Sequence, residues 1–312
     1  MNHMAEEAEQ KTSIADNTTA AEPTITPAGA ALKLGQHLST TGSWNGLVDQ
    51  AKRAGNTAFA FFPRSPYGKE SKKLKTANPA PLIEAQEQYG WGPLVVHAPY
   101  VYNLAGKDAS KRAFAITSMQ DDAQLLATAI PTNGVIYFNF HPGSHVGQGA
   151  DEGVRLIADG LTQILPNTPE NVIVLLETMA GKGTEVGSRF EELAAIIAQL
   201  GPKDQEHVGV TLDTCHVFDA GYDIKSDLTG VLHHFDSVIG LNKLKALHVN
   251  DSKFGFESHK DRHAPIGLGH LGIEFFRELV NNPLTKELPM ILETPPRDDD
   301  VDEVALLRSL AE

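Results

Sequence analysis

Nine residues able to bind metal ions stand at, or just beyond, the ends of apolar segments. PLVVH ends in His97, VIYFNFH in His141, VIVLLE in Glu177, VGVTLD in Asp213 and PMILE in Glu293. KALHVN carries His248 two places before its end, His216 follows Asp213 by three in LDTCH, and Asp261 and His263 lie two apart in DRH. Any one of these is ordinarily a buried polar group that has found a hydrogen bond. Nine in this arrangement point to metal coordination. Imidazole and carboxylate together suit zinc, manganese or iron. The single cysteine, Cys215, excludes a thiolate-rich site and reads as a small buried hydrophobe rather than a nucleophile. At about four ligands per ion, with some shared, the set implies two or three ions. Of the other histidines, His3 lies in the N-terminal segment, His207 follows a polar loop, and His233 and His234 read as surface or cap residues of a helix. His145 and His259 stay open between structural and substrate-contact roles.

These residues need elements to hold them. The runs above, with LKLGQH near His37 and TAFAFF near Phe62, make eight. Strands buried on both faces read as continuous apolar runs, so eight parallel strands are expected. Helical periodicity fills the intervals at 44–54, 80–89, 109–129, 150–164, 188–199, 230–240, 272–281 and 300–311. Asp151 and Glu152 suit a helix N-terminus, and Ser188 with Glu191 has the spacing of a capping box. The alternation predicts an α/β fold. An open doubly wound sheet gathers ligands only near a switch point. Ligands on six strand ends favour a (β/α)8 TIM barrel with the metal site at the C-terminal ends of its strands.

A barrel of this kind takes about 250 residues, which leaves a tail in a chain of 312. Residues 1–27 hold few large apolar side chains and carry Glu6, Glu7, Glu9, Asp16 and Glu22. They are expected to be a disordered acidic segment, neither transit peptide nor secretory signal. Residues 28–312 form the expected single barrel domain. No apolar run reaches the roughly 18 residues of a membrane span, and one cysteine fits a reducing compartment. The net charge of -14 weighs against a nucleic-acid partner, although bound cations would neutralise part of it. Glycine-rich loops at 141–149, 180–187 and 267–272 favour a phosphate-containing substrate, because exposed backbone N–H groups hold phosphate oxygens. Paired metal ions suit in-line phosphoryl displacement.

The segments around these residues resemble the endonuclease IV family of apurinic/apyrimidinic (AP) endonucleases, over about residues 32–311. The resemblance is carried by HAPYVYNLAG at 97–106, NFHPGSH at 139–145, LLETMAGKGTEVG at 175–187 and GVTLDTCH at 209–216. HVNDSKFGFESHKDRHAPIGLG at 248–269 and LETPP at 292–296 complete it. It implies a TIM barrel with three zinc ions, for which manganese could substitute. His97, His141 and Glu177 would hold one ion, and Glu177, Asp213, His248 and Glu293 a second, with Glu177 bridging. His216, Asp261 and His263 would hold the third. The implied activity is incision of double-stranded DNA 5′ to an abasic site in base-excision repair. It leaves a 3′-hydroxyl and a 5′-deoxyribose phosphate, and extends to removal of 3′-blocking groups.

Glu177 is the residue on which catalysis would turn. Tyr100 and Val101 would enter the DNA, Lys182 and Arg262 would contact phosphate, and Arg64 or Tyr67 would reach the base stack after the second strand. Thr178, Met179 and Glu257 depart from the family pattern. The resemblance further implies a monomer without membrane attachment, nucleoid-associated in a bacterial cytoplasm, or nuclear or organellar in a eukaryote. Two alternatives compete. A divalent-metal sugar isomerase or epimerase could use Glu177, Asp213, His216, His248 and Glu293, but leaves His97, His141 and the DRH pair without a role. A catalytically silent binder of damaged DNA would not need the full ligand set.

Overall fold

Each of the eight apolar runs is a strand in the computed structural model, which describes residues 25–40, 43–70 and 72–312. The barrel strands are β1 (Leu34–Leu38), β2 (Ala60–Phe61), β3 (Leu94–His97), β4 (Ile136–Phe140), β5 (Val172–Glu177), β6 (Val208–Asp213), β7 (Leu244–His248) and β10 (Met290–Leu292). All pair in parallel, in the order β2-β1-β10-β7-β6-β5-β4-β3. The Val95 N–H donates to Phe59 O at 3.1 Å, bringing β3 back to the segment leading into β2 and nearly closing the barrel.

Strand side chains alternate between two faces, and the packing separates accordingly. Ala58, Ala60, Val95, Leu175, Ala246 and Ile291 fill the barrel interior. Their neighbours Phe59, Phe61, Leu94, Val96, Val174, Leu176, Leu247, Met290 and Leu292 face the helical layer. Moving two residues onward from the interior set reaches Phe62, His97, Glu177, His248 and Glu293. The period of two that packs the interior therefore also aims four candidate ligands inward at the C-terminal mouth.

Helices cover the intervals much as periodicity predicts, among them Trp44–Arg53, Ala80–Tyr89, Ala109–Ala127, Ala150–Ile164, Leu228–Val238 and Ile273–Asn281. Three local expectations are corrected. The helix expected from 188 runs Phe190–Ala198 behind Arg189 and has no side-chain cap. No capping box forms, because Glu192 reaches back to the Gly187 N–H at 2.7 Å. The last helix, expected from 300, runs Glu303–Ser309 behind an Asp302 cap. The expected tail 1–27 lies outside the described residues up to 24. Thr26 and Pro27, however, begin a short helix, Pro27–Ala31, and the Thr26 hydroxyl donates to Ala311 O at 2.8 Å.

A small antiparallel ribbon, unforeseen in the sequence, follows β7. It pairs β8 (Asp251–Ser252) with β9 (His263–Ala264). The buried Asp251 carboxylate accepts from the N–H groups of Gly267, Gly269, Leu271 and Gly272 at 2.9–3.2 Å. Those donors are spent on Asp251, so the glycine-rich loop at 267–272 is a clasp for the ribbon rather than the phosphate cradle its composition implied.

Candidate metal centre

Glu177 ends β5 fully buried, and four imidazoles surround it. Its Oε2 lies 3.2 Å from His97 Nε2 and 3.3 Å from His141 Nε2, and accepts from the Asn139 amide at 2.6 Å. Its Oε1 lies 3.0 Å from His248 Nδ1 and 3.3 Å from His216 Nδ1. Both carboxylate oxygens are thus engaged on opposite sides, the orientation a bridging ligand needs.

Asp213, at the end of β6, does two jobs. Its Oδ1 accepts the His216 N–H at 2.9 Å and caps the short helix Thr214–Asp219, which places His216 over the barrel mouth. Its Oδ2 accepts from Asn250 at 2.7 Å and lies 3.8 Å from His263 Nε2. Asn250 also accepts the Glu293 N–H at 2.8 Å, so one amide aligns two candidate ligands. Glu293 Oε2 lies 3.2 Å from His248 Nδ1, and its Oε1 lies 3.3 Å from His37 Nδ1. His216 Nε2 lies 3.1 Å from Asp261 Oδ1.

Ligand-capable atoms fall within 4.8 Å of one another in several sets. They include His97, His141 and Glu177; Glu177, Asp213, His248 and Glu293; and His216, Asp261 and His263. The three groups implied by the resemblance are therefore brought together, with Glu177 common to two. A further set, Asp213, Cys215 and His263, includes the buried thiol. Burial foremost, with the Asp213 charge, pushes that thiol well up, and a protonated thiol is a poor ligand.

The electrostatics fit cations. Burial opposes charge on Glu177, yet His248, His141 and His216 outweigh it and hold its pKa well below the usual carboxylate value. Burial likewise opposes charge on His216, but Asp213, Asp261 and Glu177 hold its pKa well above the usual value. Asp261 is held down to about 2: His216, His263 and His141 overcome its burial. A carboxylate field that draws protons onto imidazoles draws divalent ions for the same reason, with protons released on binding. Buried His248 Nε2 and His263 Nε2 have no hydrogen-bond partner. His97 Nδ1 and His263 Nδ1 donate to the carbonyls of Ala98 at 2.6 Å and Glu293 at 3.1 Å, which frees the opposite nitrogen to ligate.

Around the mouth, Tyr100, His141, His216, Asp261, His263 and Glu293 line a cavity of about 310 Å³. The Tyr100 ring packs edge-on to His97 and leaves 57% of the residue exposed; Val101 is 45% exposed. Lys182 reaches within 3.9 Å of Asp261 Oδ2, and exposed Arg262 donates to Asp261 O at 2.7 Å. Arg64 is a correction. It is 6% exposed and pairs with buried Asp122, Nη2 to Oδ1 at 2.6 Å, so it cannot reach a base stack. Tyr67, on the same loop, is 86% exposed. Thr178 supports two candidate ligands. Its hydroxyl accepts the Asp213 N–H at 2.9 Å, and its carbonyl accepts the His216 Nδ1–H at 2.8 Å. His259 donates to Ala180 O, and His145 Nδ1 accepts the Gly149 N–H, which makes both supports of loops.

Sequence reading missed Asn139, Asn250 and His37. Asn139 shares the inward parity of its strand, which was the one signal available for it.

The fold and site define a class, the xylose isomerase-like TIM barrels, whose family model matches residues 48–310. Within that class, a probable endonuclease 4 of Bifidobacterium longum (strain NCC 2705) is 56% identical over 283 residues, covering 90% of this chain and 99% of the relative. One from Methanosphaera stadtmanae is 44% identical, covering 89% of this chain and 98% of the relative. The crystal structure of endonuclease IV from Thermus thermophilus superposes with a TM-score of 0.77 at 32% identity, covering 89% and 98% of the two chains. A D-tagatose 3-epimerase-like protein shares the fold at a TM-score of 0.63 and 17% identity, covering 89% of this chain and 95% of that one. The chain belongs to the endonuclease IV family. No helix among the described residues is long and apolar enough to cross a membrane.

Proposed function

We propose that this protein is a zinc-dependent AP endonuclease, incising duplex DNA on the 5′ side of abasic sites and leaving a 3′-hydroxyl and a 5′-deoxyribose phosphate. The observation that carries the reading is the convergence of three ligand-capable groups on one cavity, with Glu177 shared by two of them. In this reading His97, His141 and Glu177 hold one zinc. Glu177, Asp213, His248 and Glu293 hold the second, and His216, Asp261 and His263 the third. Zinc bound there supplies Lewis acidity and a nucleophile from water at neutral pH.

The chain's own residues do the rest. Asn139 and the four imidazoles fix the turn of the Glu177 carboxylate. Asn250 keeps Asp213 and Glu293 in register. Tyr100 lines the cavity mouth, and its phenol, protonated at neutral pH, can donate to a phosphate oxygen. Tyr100 and Val101 occupy the space left where a base is missing, an extrusion made cheaper by the absent pair. Lys182 and Arg262 take flanking phosphates. Removal of 3′-blocking groups uses the same centre. The chain from Thr26 onward acts as one barrel domain and a monomer, in the cytoplasm beside the nucleoid if the cell is bacterial.

Metal analysis and a nicking assay together test the reading. About three zinc ions per chain, with incision of an abasic duplex and none of an intact one, support it. One ion per chain and turnover of a ketose, with the abasic duplex untouched, would transfer the assignment to sugar epimerases.

A further inference from the structure

Between the loop after β2, the loop after β3 and the helix Ala109–Ala127 lies a buried polar cluster outside the metal centre. Arg64 Nε donates to both Asp122 oxygens, at 2.8 and 2.9 Å, and its Nη2 donates to Ser118 O at 3.2 Å. The Tyr102 hydroxyl donates to Asp122 Oδ2 at 2.9 Å. All three side chains are buried. One carboxylate on a helix thus ties down two loops of the barrel mouth.

Those two loops carry an exposed rim. Tyr67 stands three residues beyond Arg64, while Tyr100 and Val101 immediately precede Tyr102; all three are exposed. The loops touch: a Cβ at Gly68 would lie 3.0 Å from Val101 Cγ2, and Gly68 holds φ +84. Tyr100 belongs both to the rim and to the metal cavity. Aromatic faces stack on unpaired bases whatever their sequence, so the spacing of this rim relative to the metal centre decides how a gapped base stack fits. A buried ion pair adds little net stability over apolar groups of the same volume, but holds one geometry.

We propose that Arg64, Asp122 and Tyr102 are positioning residues: they set the spacing of Tyr67, Tyr100 and Val101 above the metal centre and so determine how tightly a duplex lacking a base is engaged. The inference rests on the AP endonuclease reading. None of the three touches the reacting atoms, so the cluster acts on substrate engagement and leaves the chemical step alone.

The test replaces the ion pair by apolar groups, Arg64→Met with Asp122→Leu, and separately removes one bond with Tyr102→Phe, both in the zinc-loaded protein. The double variant is expected to keep its metal content and turnover, while KM for an abasic duplex rises about tenfold, within the range of effect seen when one base–aromatic stack is lost. Tyr102→Phe raises KM in the same direction by less. Wild-type KM in both, or a fall in kcat with KM unchanged, overturns the proposal. If the double variant does not fold, Tyr102→Phe decides alone. Dissociation constants for abasic and intact duplexes are measured in parallel. Should the wild-type protein fail to nick, the functional reading falls, and the cluster is judged by whether the variants lose preference for the abasic duplex.

Discussion

The Asn139 amide lies 2.6 Å from Glu177 Oε2, and both side chains are fully buried in the barrel mouth. That bond selects one orientation of a carboxylate whose two oxygens face different imidazole pairs. Asn139→Ala removes one of the contacts that fix the Glu177 carboxylate and leaves the four imidazoles to hold it. Loss of such a supporting bond typically weakens metal affinity by about 10–100-fold. Titration against a competing chelator measures it, and an unchanged affinity would remove Asn139 from the site.

Glu177→Gln abolishes incision while the barrel persists. An amide carries no charge, and its NH2 end cannot ligate, so both groups that share Glu177 are weakened together. Metal content and nicking are read on the same preparation. Turnover near wild type with a full metal complement would show that Glu177 does not bridge.

Arg64→Met alone destabilises the protein by about 3–5 kcal/mol, because it strands the Asp122 carboxylate away from water. Urea denaturation of the zinc-loaded protein checks this. A loss well below that range would mean that water reaches the pair and that the two loops are loosely held.

Arg262→Ala weakens binding of the abasic duplex without changing metal content. If the guanidinium meets one phosphate, the slope of log affinity against log salt becomes shallower by about one unit. An identical slope in the variant strikes Arg262 from the contact surface.

The barrel was legible because strands buried on both faces leave continuous apolar runs, and its site because the ligands extend the same alternation past the strand ends. Val95 to His97, Leu175 to Glu177 and Ile291 to Glu293 are single steps of two. What escaped reading depends on partners distant in the chain. Arg64 looked like a basic residue at the end of a strand, but its environment is set by Asp122, 58 positions away. The β8–β9 ribbon has two residues on each side, too few to show any periodicity, and Asp251 organises it through four backbone donors. Ser188 and Glu191 had the spacing of a cap, yet the turn before that helix offers the Gly187 N–H to Glu192 instead. Thr26 looked like tail because composition averages over a window, whereas one hydroxyl bond to Ala311 joins it to the last helix's end.

Mapping which phosphodiester bond breaks tests the assigned activity most directly. A duplex with one abasic site, labelled at the 5′ end of the damaged strand, is incubated with the zinc-loaded protein, and the product ends are mapped. A single nick immediately 5′ to the abasic sugar is expected, with a 3′-hydroxyl that a polymerase extends directly, lost on chelation and restored by zinc. A nick on the 3′ side, ends that cannot be extended, or activity indifferent to metal removal would contradict it.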